Sequence, residues 1–364
     1  MRVAVVDIGS NSIRLLIADV LPTGKPAATP HPVTPPAASP PATATPGEPP
    51  PAAPPPATDP PVAPPPGVPP NTPPPTPPNG ATVTELVRES RVTRLGTGVD
   101  GGNPLSPEAV ARTCAVLADY RDKIAEHGVE ANLAVLTSAV RDAADGPELT
   151  QRVREEYGLD ARTLSGDEEA QLTFLGAMSD RAASPEPTVV IDIGGGSTEF
   201  VVGHHRSAGF HVSLQAGVVR LSERHIHSDP PAPDQLQDLA EDARGIFLAG
   251  LPAAERAPVT HGIAVAGTAT SAAAIAQELD PYDPARVHRY RLELATVELL
   301  LARLADMDEA RRREVVGLHP DRAPTIVAGM ILLIEAMHAF ALDQVEVSEH
   351  DILRGGALRL AGVG

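Results

Sequence analysis

The sequence predicts an α/β protein built from two copies of one domain, and two observations lead to this fold class. Apolar runs typical of strands alternate with helical patterns along the chain. In addition, a strand, an aspartate and a turn of small residues occur twice, as VVDIGSNSIRLLIADV and as VIDIGGGSTEFVVG. At a constant offset of 185 positions, Asp7 matches Asp192, Gly9 matches Gly194 and Ser12 matches Ser197. The repeat therefore indicates two related α/β halves.

The N-terminal half contains strand and helix signals in alternation. A strand ends at Asp7, and strand-like segments follow at 17–21 and 82–87. Ser106 and Pro107 supply the cap and the first-turn proline of a helix that ends at Gly128. The remaining elements are a strand at 132–137, a helix at 147–157, a strand at 162–164 and a helix from about 167. The single cysteine of the chain, Cys114, is expected to be a small core residue.

The C-terminal half repeats this alternation. The segment 188–196 reads as a strand and a turn, and 262–276 as a strand, a Gly-Thr turn and a helix start. A long apolar helix at 325–342 and a late strand at 345–349 follow. We expect domain I to comprise 1–21, 81–168 and about 346–364, and domain II to comprise 169–345.

A proline-rich insertion interrupts the first half. Residues 22–80 hold 27 of the 41 prolines. Proline removes backbone donors and fixes φ, so we expect a disordered insertion at the tip of a hairpin, outside any domain boundary. A second interpretation stays open, in which this arm is a ligand for a partner that recognises proline-rich segments.

Composition excludes several classes of protein. The net charge of −18 argues against a general nucleic-acid binder. No run of about 18 apolar residues predicts a membrane span, and the N-terminal apolar stretch, broken by Asp7 and Arg14, does not resemble a signal peptide. One cysteine excludes an intramolecular disulfide. We therefore expect a cytoplasmic enzyme, with any polyanionic ligand met by a local basic site.

Both turns have the chemistry of an oxyanion site. Small residues allow backbone N–H groups to approach an anion, and serine and asparagine side chains add donors. Asp7 and Asp192 are candidates for holding a metal, often through water, or for orienting a water nucleophile. One such turn is weak evidence, but two facing copies predict a phosphate clamped between two domains.

Seven stretches in order make the chain resemble a known family. They are DIGSNSIRLLIADV, RLGTGVD, TSAVRDA, SGDEEAQLTFLG, VIDIGGGSTEFVVG, AGTATSAAA and GLHPDRAPTIVAGMILL. Together they are similar to the short, two-domain form of the exopolyphosphatase/guanosine pentaphosphate phosphohydrolase (Ppx/GppA) family, within the acetate/sugar kinase–Hsp70–actin superfamily. The resemblance implies duplicated actin-like (ribonuclease H-like) domains with an active site in the cleft between them.

The resemblance also implies an activity and a set of site residues. The activity is Mg²⁺-dependent hydrolysis of a terminal phosphoanhydride. Glu169 falls on the general base, and Asp192 and Glu199 fall on acidic residues near the water and the metal, with Asp7 as a second candidate metal ligand. The phosphate-binding candidates are Ser10, Asn11, Ser12, Arg14, Arg141, Gly194, Gly195, Gly196, Ser197, Gly267 and Thr268.

Structural alternatives compete with some of these roles. The sequence from Ser165 to Glu168 is a capping box, so Glu168 is expected to be structural, and the same alternative is open for Glu169. Arg14 occupies the position of Glu199 in the other copy, which is either a functional asymmetry or a coincidence of two strand residues. Where the family commonly has arginine after Glu-Glu-Ala, this chain has Gln171, so another arginine substitutes or polyanion affinity is reduced.

Two charged clusters have simpler interpretations. His204, His205 and His211 lack the spacing of a metal site and are expected to be exposed loop residues. EARRRE, residues 309–314, is expected to be a solvated helix face, with a polyphosphate track as the alternative.

Four functions are compatible with the sequence. The leading hypothesis is an exopolyphosphatase that releases orthophosphate from inorganic polyphosphate. The alternatives are a guanosine pentaphosphate (pppGpp) 5′-phosphohydrolase, a sugar or acetate kinase or actin-like ATPase, and a non-catalytic sensor that binds polyphosphate or (p)ppGpp. A homodimer fits the family, although no interface can be read from the residues.

Overall fold

The computed structural model describes residues 1–22, 81–99, 102–182, 184–204 and 207–363. The strands are β1 (Arg2–Ile8), β2 (Ser12–Pro22), β3 (Ala81–Val92), β4 (Ala131–Leu136), β5 (Ala161–Thr163), β6 (Thr188–Ile193), β7 (Thr198–His204), β8 (Ser207–Leu214), β9 (His261–Val265), β10 (Arg291–Glu293) and β11 (Gln344–Val347).

The helices begin with α1 (Pro107–Glu126), α2 (Ser138–Asp142), α3 (Gly146–Tyr157), α4 (Gly166–Ala177), α5 (Val218–His225), α6 (Pro233–Gly250) and α7 (Ala253–Arg256). They continue with α8 (Ala266–Ala276), α9 (Pro284–Val287), α10 (Leu294–Ala305), α11 (Glu309–Arg312), α12 (Ile326–Ala339) and α13 (Ile352–Leu360), and a short 3₁₀ helix lies at Pro320–Arg322.

The two sheets repeat one topology. The first has the order β3-β2-β1-β4-β5, and the second has the order β10-β11-β9-β6-β7-β8. In the first sheet β1 pairs antiparallel with β2 and parallel with β4, and in the second β6 pairs antiparallel with β7 and parallel with β9. The outer strands β3 and β8 are also antiparallel to their neighbours. The duplication predicted from the repeated motif is therefore present in the strand order as well.

Each sheet is covered by helices on both faces, and its central strands are mostly apolar. In β1, Ala4 and Val6 pack towards α1 and α3, whereas Val3 and Val5 pack towards α13. In the second sheet, alternate residues of β6 face either the large core built with α6, α8 and α12 or a smaller core with α4. Continuous apolar strands of this kind are typical of sheets with helices on both sides.

Helices α4 and α13 approach each other closely. A Cβ at Gly176 of α4 would lie 1.9 Å from the carbonyl oxygen of Asp351, and a Cβ at Gly355 of α13 would lie 1.9 Å from that of Leu172. Glycine at both positions is therefore needed for this contact. The contact links a helix packed on the second sheet to a helix packed on the first.

Most predicted elements are confirmed, with boundaries shifted by a few residues. The predicted hairpin forms, because β2 pairs with β3 as far as Pro22 and Ala81. The rest of the predicted disordered insertion, residues 23–80, lies outside the described residues. The predicted domain boundary at 168/169 falls inside α4, and the division into domains stays a prediction.

Two local predictions were wrong. Gly267 and Thr268 do not form a turn before a helix, since they lie in the first turn of α8. The segment EARRRE is not wholly solvated either. Arg312 is buried, and its guanidinium donates to the carbonyls of Met307 and Ala323 and to Asp229, so it joins the helix to its surroundings.

Two further expectations are consistent with the structure. Cys114 is buried in α1, as expected for a small core residue. In the described part of the chain, none of the helices has the length and apolar character needed to span a bilayer.

Candidate active site

The two repeated turns have the same backbone geometry. We call residues 9–12 the N-terminal turn and residues 194–197 the central turn. The amide of Gly9 donates to the carbonyl of Ser12 at 3.0 Å, and the amide of Gly194 donates to the carbonyl of Ser197 at 3.0 Å. A Cβ on Gly9 would lie 3.2 Å from the carbonyl oxygen of Ser12, and a Cβ on Gly194 would lie 3.2 Å from the carbonyl oxygen of Ser197. The sequence repeat is therefore a repeat of a specific tight bend at a strand end.

The turns meet each other, and this contact explains why one is richer in glycine. A Cβ at Gly195 would lie 2.8 Å from the amide nitrogen of Asn11, and a Cβ at Gly196 would lie 2.9 Å from Oγ of Ser10. The side chains of the N-terminal turn thus occupy the space that the glycines of the central turn leave open. Closest approach of the two backbones requires glycine on one side.

Carbonyl groups of both turns are tied back into the protein. Ser10 and Asn11 accept hydrogen bonds from the backbone amides of residues 93–96, and Gly194 and Gly195 accept from the start of α5. Within the described residues, the amides of Ser10, Asn11, Gly195 and Gly196 donate no hydrogen bond. Clustered, unpaired backbone donors of this kind favour an anion.

The N-terminal turn is followed by an arginine held between two carboxylates. Arg14 lies opposite Asp7 across the β1–β2 pair, and its Nε and Nη2 donate to Oδ2 of Asp7 at 2.9 and 2.6 Å. Its Nη1 donates to Asp351, the N-cap residue of α13. Burial opposes the charge, but Asp351 and Asp7 raise the pKa of Arg14 above its ordinary value, so the guanidinium stays charged.

A carboxylate takes the place of this arginine at the central turn. Glu199 lies opposite Asp192 across the β6–β7 pair, and its Oε1 accepts from the hydroxyls of Ser197 and Ser213, each at 2.6 Å. Burial, with Glu169 and Asp192 adding to it, holds the pKa of Glu199 well above its usual range. Burial also raises the pKa of Asp192 to about 7. Two buried carboxyl groups on this side of the cleft therefore resist ionisation.

Glu169 enters the cleft from the first turn of α4. The predicted capping box forms, because the amide of Glu168 donates to Oγ of Ser165 at 3.2 Å and Oε2 of Glu168 accepts from the amide of Ser165 at 2.9 Å. Glu168 therefore remains on the surface, whereas Glu169 turns inward and is only 9% exposed. The prediction that Glu168 is structural is confirmed.

The Glu169 carboxylate contacts one arginine. Nη1 of Arg141 donates to Oε2 of Glu169 at 2.9 Å and to the carbonyl of Leu164 at 3.1 Å. Burial raises the pKa of Glu169 to about 6, although Arg141 acts in the opposite direction. A carboxylate with a pKa near neutrality is suited to accept a proton at physiological pH.

The predicted site residues converge on one cleft. Those that line it are Asp7, Ser10, Asn11, Ser12, Arg14, Glu169, Asp192, Gly194, Gly195, Ser197, Glu199, Gly267 and Thr268. Two predicted residues do not line it: Arg141 reaches it through Glu169, and Gly196 lines a small adjoining cavity with Ser10. The repeated turns are thus the centre of a single cavity.

Several residues of the cleft were not predicted from the sequence. Ser138 reaches it from the start of α2, with its hydroxyl 2.9 Å from that of Ser10, and Asp351 holds Arg14. Arg322 lies directly over Gly267, where a Cβ would be 1.7 Å from its Nη1. Gln171, where the family commonly has arginine, is exposed, whereas Arg14 and Arg322 line the cleft. Arg322 lies in one of the matching stretches, but no local pattern singles it out.

The donor set suits a cation that keeps much of its own hydration. Of the described residues, no three carboxylate or imidazole ligand atoms in the cleft lie within 4.8 Å of one another, whereas Asp180, His288 and His350 do so elsewhere. The cleft therefore offers one or two carboxylates beside a phosphate-binding turn. Mg²⁺ is usually held by one or two carboxylates together with water and substrate phosphates, so the residues fit this ion.

The expectation that the histidines are exposed loop residues was wrong for His211, which is half-buried within β8, and His204 is the last residue of β7 rather than part of a loop. His204 is exposed and His205 lies outside the described residues. Nε2 of His211 lies 2.7 Å from Oδ1 of Asp167 and so has a carboxylate partner.

Comparisons with known proteins identify a family for this chain. A sequence model of the Ppx/GppA phosphatase family matches residues 78–359. Exopolyphosphatase 2 of Mycobacterium tuberculosis is 37% identical over 290 residues, which cover 76% of this chain and 90% of that protein.

Solved structures match the fold along nearly the whole chain. The Ppx/GppA enzyme of Aquifex aeolicus has 25% identity and a TM-score of 0.69 over 99% of both chains. An exopolyphosphatase of Cytophaga hutchinsonii has 22% identity and a TM-score of 0.76, with 100% of this chain and 99% of that one covered, and it supports the fold alone. The predicted duplicated actin-like α/β fold is confirmed, and the chain belongs to the Ppx/GppA phosphatase family.

Proposed function

We propose that this protein is an exopolyphosphatase, which hydrolyses the terminal phosphoanhydride bond of inorganic polyphosphate and releases orthophosphate. One observation carries the proposal: two phosphate-type turns with unpaired amides meet beside a buried glutamate with a pKa near 6. The similarity to a Mycobacterium tuberculosis protein named as an exopolyphosphatase favours polyphosphate over guanosine pentaphosphate as the substrate.

The amides of both turns bind the oxygens of the terminal phosphate. These amides donate hydrogen bonds and add no net charge. Arg14 and Arg322 line the cleft and neutralise negative charge on the substrate. Positioning and charge neutralisation supply most of the catalysis of phosphoryl transfer, since the protein has little covalent chemistry to perform.

Glu169 accepts the proton of the attacking water. Its ionised form is available above a pH of about 6, and Arg141 orients the carboxylate through the bond to Oε2. The proton moves to Glu169 as the water oxygen bonds to phosphorus and the bridging oxygen leaves with the shortened chain. The phosphate released is therefore inorganic orthophosphate.

Asp192 is proposed as the principal metal ligand, with Asp7 as the second. The side-chain carboxylate of Asp192 makes no hydrogen bond or ion pair with any described residue, whereas Oδ2 of Asp7 is engaged by Arg14. A bound Mg²⁺ would neutralise charge on the phosphate oxygens. Glu199, which the two serine hydroxyls hold in place beside Asp192, would orient the attacking water.

The decisive experiment compares two adjacent glutamates. Purified wild type, Glu169→Gln and Glu168→Gln are mixed with polyphosphate and Mg²⁺, and phosphate release is measured. Loss of a general base is expected to lower kcat about 10²- to 10⁴-fold. Glu168→Gln changes the same charge at a surface capping position, and we expect less than a tenfold loss. Absence of release by wild type, or full release by Glu169→Gln, contradicts the proposal.

Substrate preference is tested with the same preparation. We expect a higher kcat/KM for polyphosphate than for guanosine pentaphosphate. The reverse order supports the pentaphosphate hydrolase, and tight binding without turnover of either supports the sensor. The homodimer, the cytoplasmic location and the partner role of the proline-rich arm stay predictions.

A further inference from the structure

The cleft continues into a second cavity, which we call the inner cavity. It offers about 370 Å³ of open space and shares Arg14, Gly267 and Arg322 with the cleft. It passes between β3 on one side and the segments around Tyr282 and Glu349 on the other. A substrate longer than one phosphate therefore has a path away from the turns.

The inner cavity opens in turn into a groove on the surface, which we call the outer groove. This groove offers about 500 Å³ and shares Ser90, Val92 and His319 with the inner cavity. Its walls are the end of β3, one face of α1 and the residues of the 3₁₀ helix. Because neighbouring cavities share lining residues, the three cavities follow one another from the repeated turns to the outer groove, and we call this succession the path.

Carboxylates along this path already have partners. Asp351 is paired with Arg14, Glu349 accepts from the hydroxyl of Tyr282, and Glu89 is paired with Lys123. The guanidinium of Arg322, by contrast, makes no hydrogen bond or ion pair in the part of the chain that the structure describes. The inner cavity is balanced in charge, since three arginines (Arg14, Arg88 and Arg322) face three carboxylates (Glu89, Glu349 and Asp351), but Arg322 has no direct partner and so offers its donors to a ligand.

The outer groove also has more cationic than anionic side chains. Arg91 and Arg112 line it, against a single carboxylate, Asp321. Nε of Arg112 donates to the carbonyl of Thr93 at 3.1 Å, so the guanidinium is anchored while its Nη groups make no hydrogen bond with described residues. Arg91 lies 3.1 Å from Asp119, and its side chain is 45% exposed, which leaves donors for a ligand.

We propose that the outer groove binds the distal phosphates of long polyphosphate chains while the terminal phosphate lies at the repeated turns. The inference rests on the proposed function, since it requires polyphosphate to occupy the cleft. Arginine matches phosphate oxygens with paired donors, and successive phosphates of a chain repeat the same charge. Affinity then rises with chain length, because only a long chain reaches Arg112 and Arg91.

The test measures how chain length changes the effect of one arginine. Wild type, Arg112→Gln and Arg121→Gln are compared at low salt, with the KM and the direct binding constant determined for long-chain polyphosphate and for tripolyphosphate. Arg121 lies on the same helix, is exposed, pairs with Asp122 and does not line the groove, so it controls for loss of one positive charge. We expect the ratio of long-chain KM to tripolyphosphate KM to rise about two- to fivefold in Arg112→Gln and to stay at the wild-type value in Arg121→Gln.

Further variants keep the result interpretable. Arg91→Gln is an independent test should Arg112→Gln fold poorly, and Arg112→Lys is expected to recover part of the long-chain affinity. The effect should shrink at high salt, because these charges face solvent. An unchanged ratio in both glutamine variants, or equal changes for both chain lengths, overturns the outer-groove inference while leaving the proposed function intact. Failure of the wild type to hydrolyse either substrate contradicts the proposed function. In that case the ratio of the directly measured binding constants for long-chain polyphosphate and tripolyphosphate still decides the inference about the outer groove.

Discussion

The N-terminal turn and the central turn share one backbone and differ in charge. Both close with the same 3.0 Å hydrogen bond at the end of a buried strand, and both carry an aspartate in that strand. Opposite the aspartate, however, the first copy has Arg14 and the second has Glu199. The first aspartate therefore has a cationic partner, whereas the second lies opposite another carboxylate.

This difference indicates a division of work within a duplicated fold. At the N-terminal turn, the arginine neutralises Asp7 and leaves donors for phosphate. At the central turn, burial together with neighbouring carboxylates raises the pKa of Asp192 to about 7. Such a site is relieved by a cation. The four predictions below test the division, from the largest expected effect to the smallest.

Replacing the two equivalent aspartates should separate their roles. We expect Asp192→Asn to lower kcat/KM about 10³-fold, because a metal ligand accounts for several kcal/mol of charge stabilisation. Asp7→Asn should cost only about tenfold, because Arg14 already engages Oδ2 of Asp7, which makes Asp7 the secondary ligand. Phosphate release and the Mg²⁺ concentration at half-maximal rate are measured for both. Equal losses of activity, with equal Mg²⁺ dependence, contradict the division.

Arg14 and Glu199 lie opposite the two aspartates, and replacing each by glutamine should change the free energy of unfolding in a different way. Arg14→Gln leaves Asp7 and Asp351 buried without their shared cation, and we expect it to lower the free energy of unfolding by about 3 kcal/mol. Glu199→Gln keeps the acceptor for the two serine hydroxyls. Because the folded pKa of Glu199 is raised, ionisation of this group costs stability as pH rises, and the neutral amide removes that cost.

Urea denaturation at pH 7 compares the two variants. Glu199→Gln should be within about 1 kcal/mol of wild type or more stable. A large loss in Glu199→Gln together with a stable Arg14→Gln would reverse the charge assignment of the two turns.

The contact between the turns can be tested with one methyl group. Gly195→Ala places a Cβ 2.8 Å from the amide of Asn11, and we expect a loss of about 1–3 kcal/mol and reduced activity. Gly245→Ala in α6 is the control, since a Cβ there has no atom within 4 Å, and it should stabilise by about 0.5–1 kcal/mol. Thermal unfolding of both variants is the measurement. A Gly195→Ala variant as stable as the Gly245→Ala variant shows that the turns do not pack as described.

The pH dependence should report Glu169 and its partner. Burial and, to a smaller extent, Asp7 raise the pKa of Glu169, while Arg141 and Arg14 lower it, and the balance places this pKa at about 6. The base must be ionised, so kcat/KM should rise with pH through about 6. Arg141→Gln should move this rise to higher pH, whereas Arg162→Gln, an exposed arginine paired with Asp160, should not. A shift to lower pH in Arg141→Gln contradicts the role of Arg141.

Much of the fold was predictable because its signals are local. Alternating strands and helices, the cap at Ser106 and the box at Ser165 follow from patterns within a few residues, and all are present in the structure. The repeated turn was predictable because a tight bend restricts residue type in the same way wherever it occurs. Most of the predicted site residues line one cleft for the same reason, since both copies place the turn at the same strand end.

Other parts of the site depend on contacts between distant segments. Arg322 and Asp351 reach the cleft from a 3₁₀ helix and a helix cap far along the chain, and neither has a local pattern that distinguishes it from a surface residue. Arg312 was expected in solvent, because its charged neighbours suggest an exposed face, but three acceptors hold it in the interior.

By itself, the sequence determined that two strand-and-turn units exist, that each carries an aspartate, and that their partners have opposite charge. Only the tertiary structure decided that the two turns touch, that glycine is needed at 195 and 196 because Ser10 and Asn11 fill that space, and that Glu169 faces the cleft while Glu168 caps its helix. The physical reason is range: backbone bends and caps are set by neighbours in sequence, whereas close approach and burial are set by what another segment places against them.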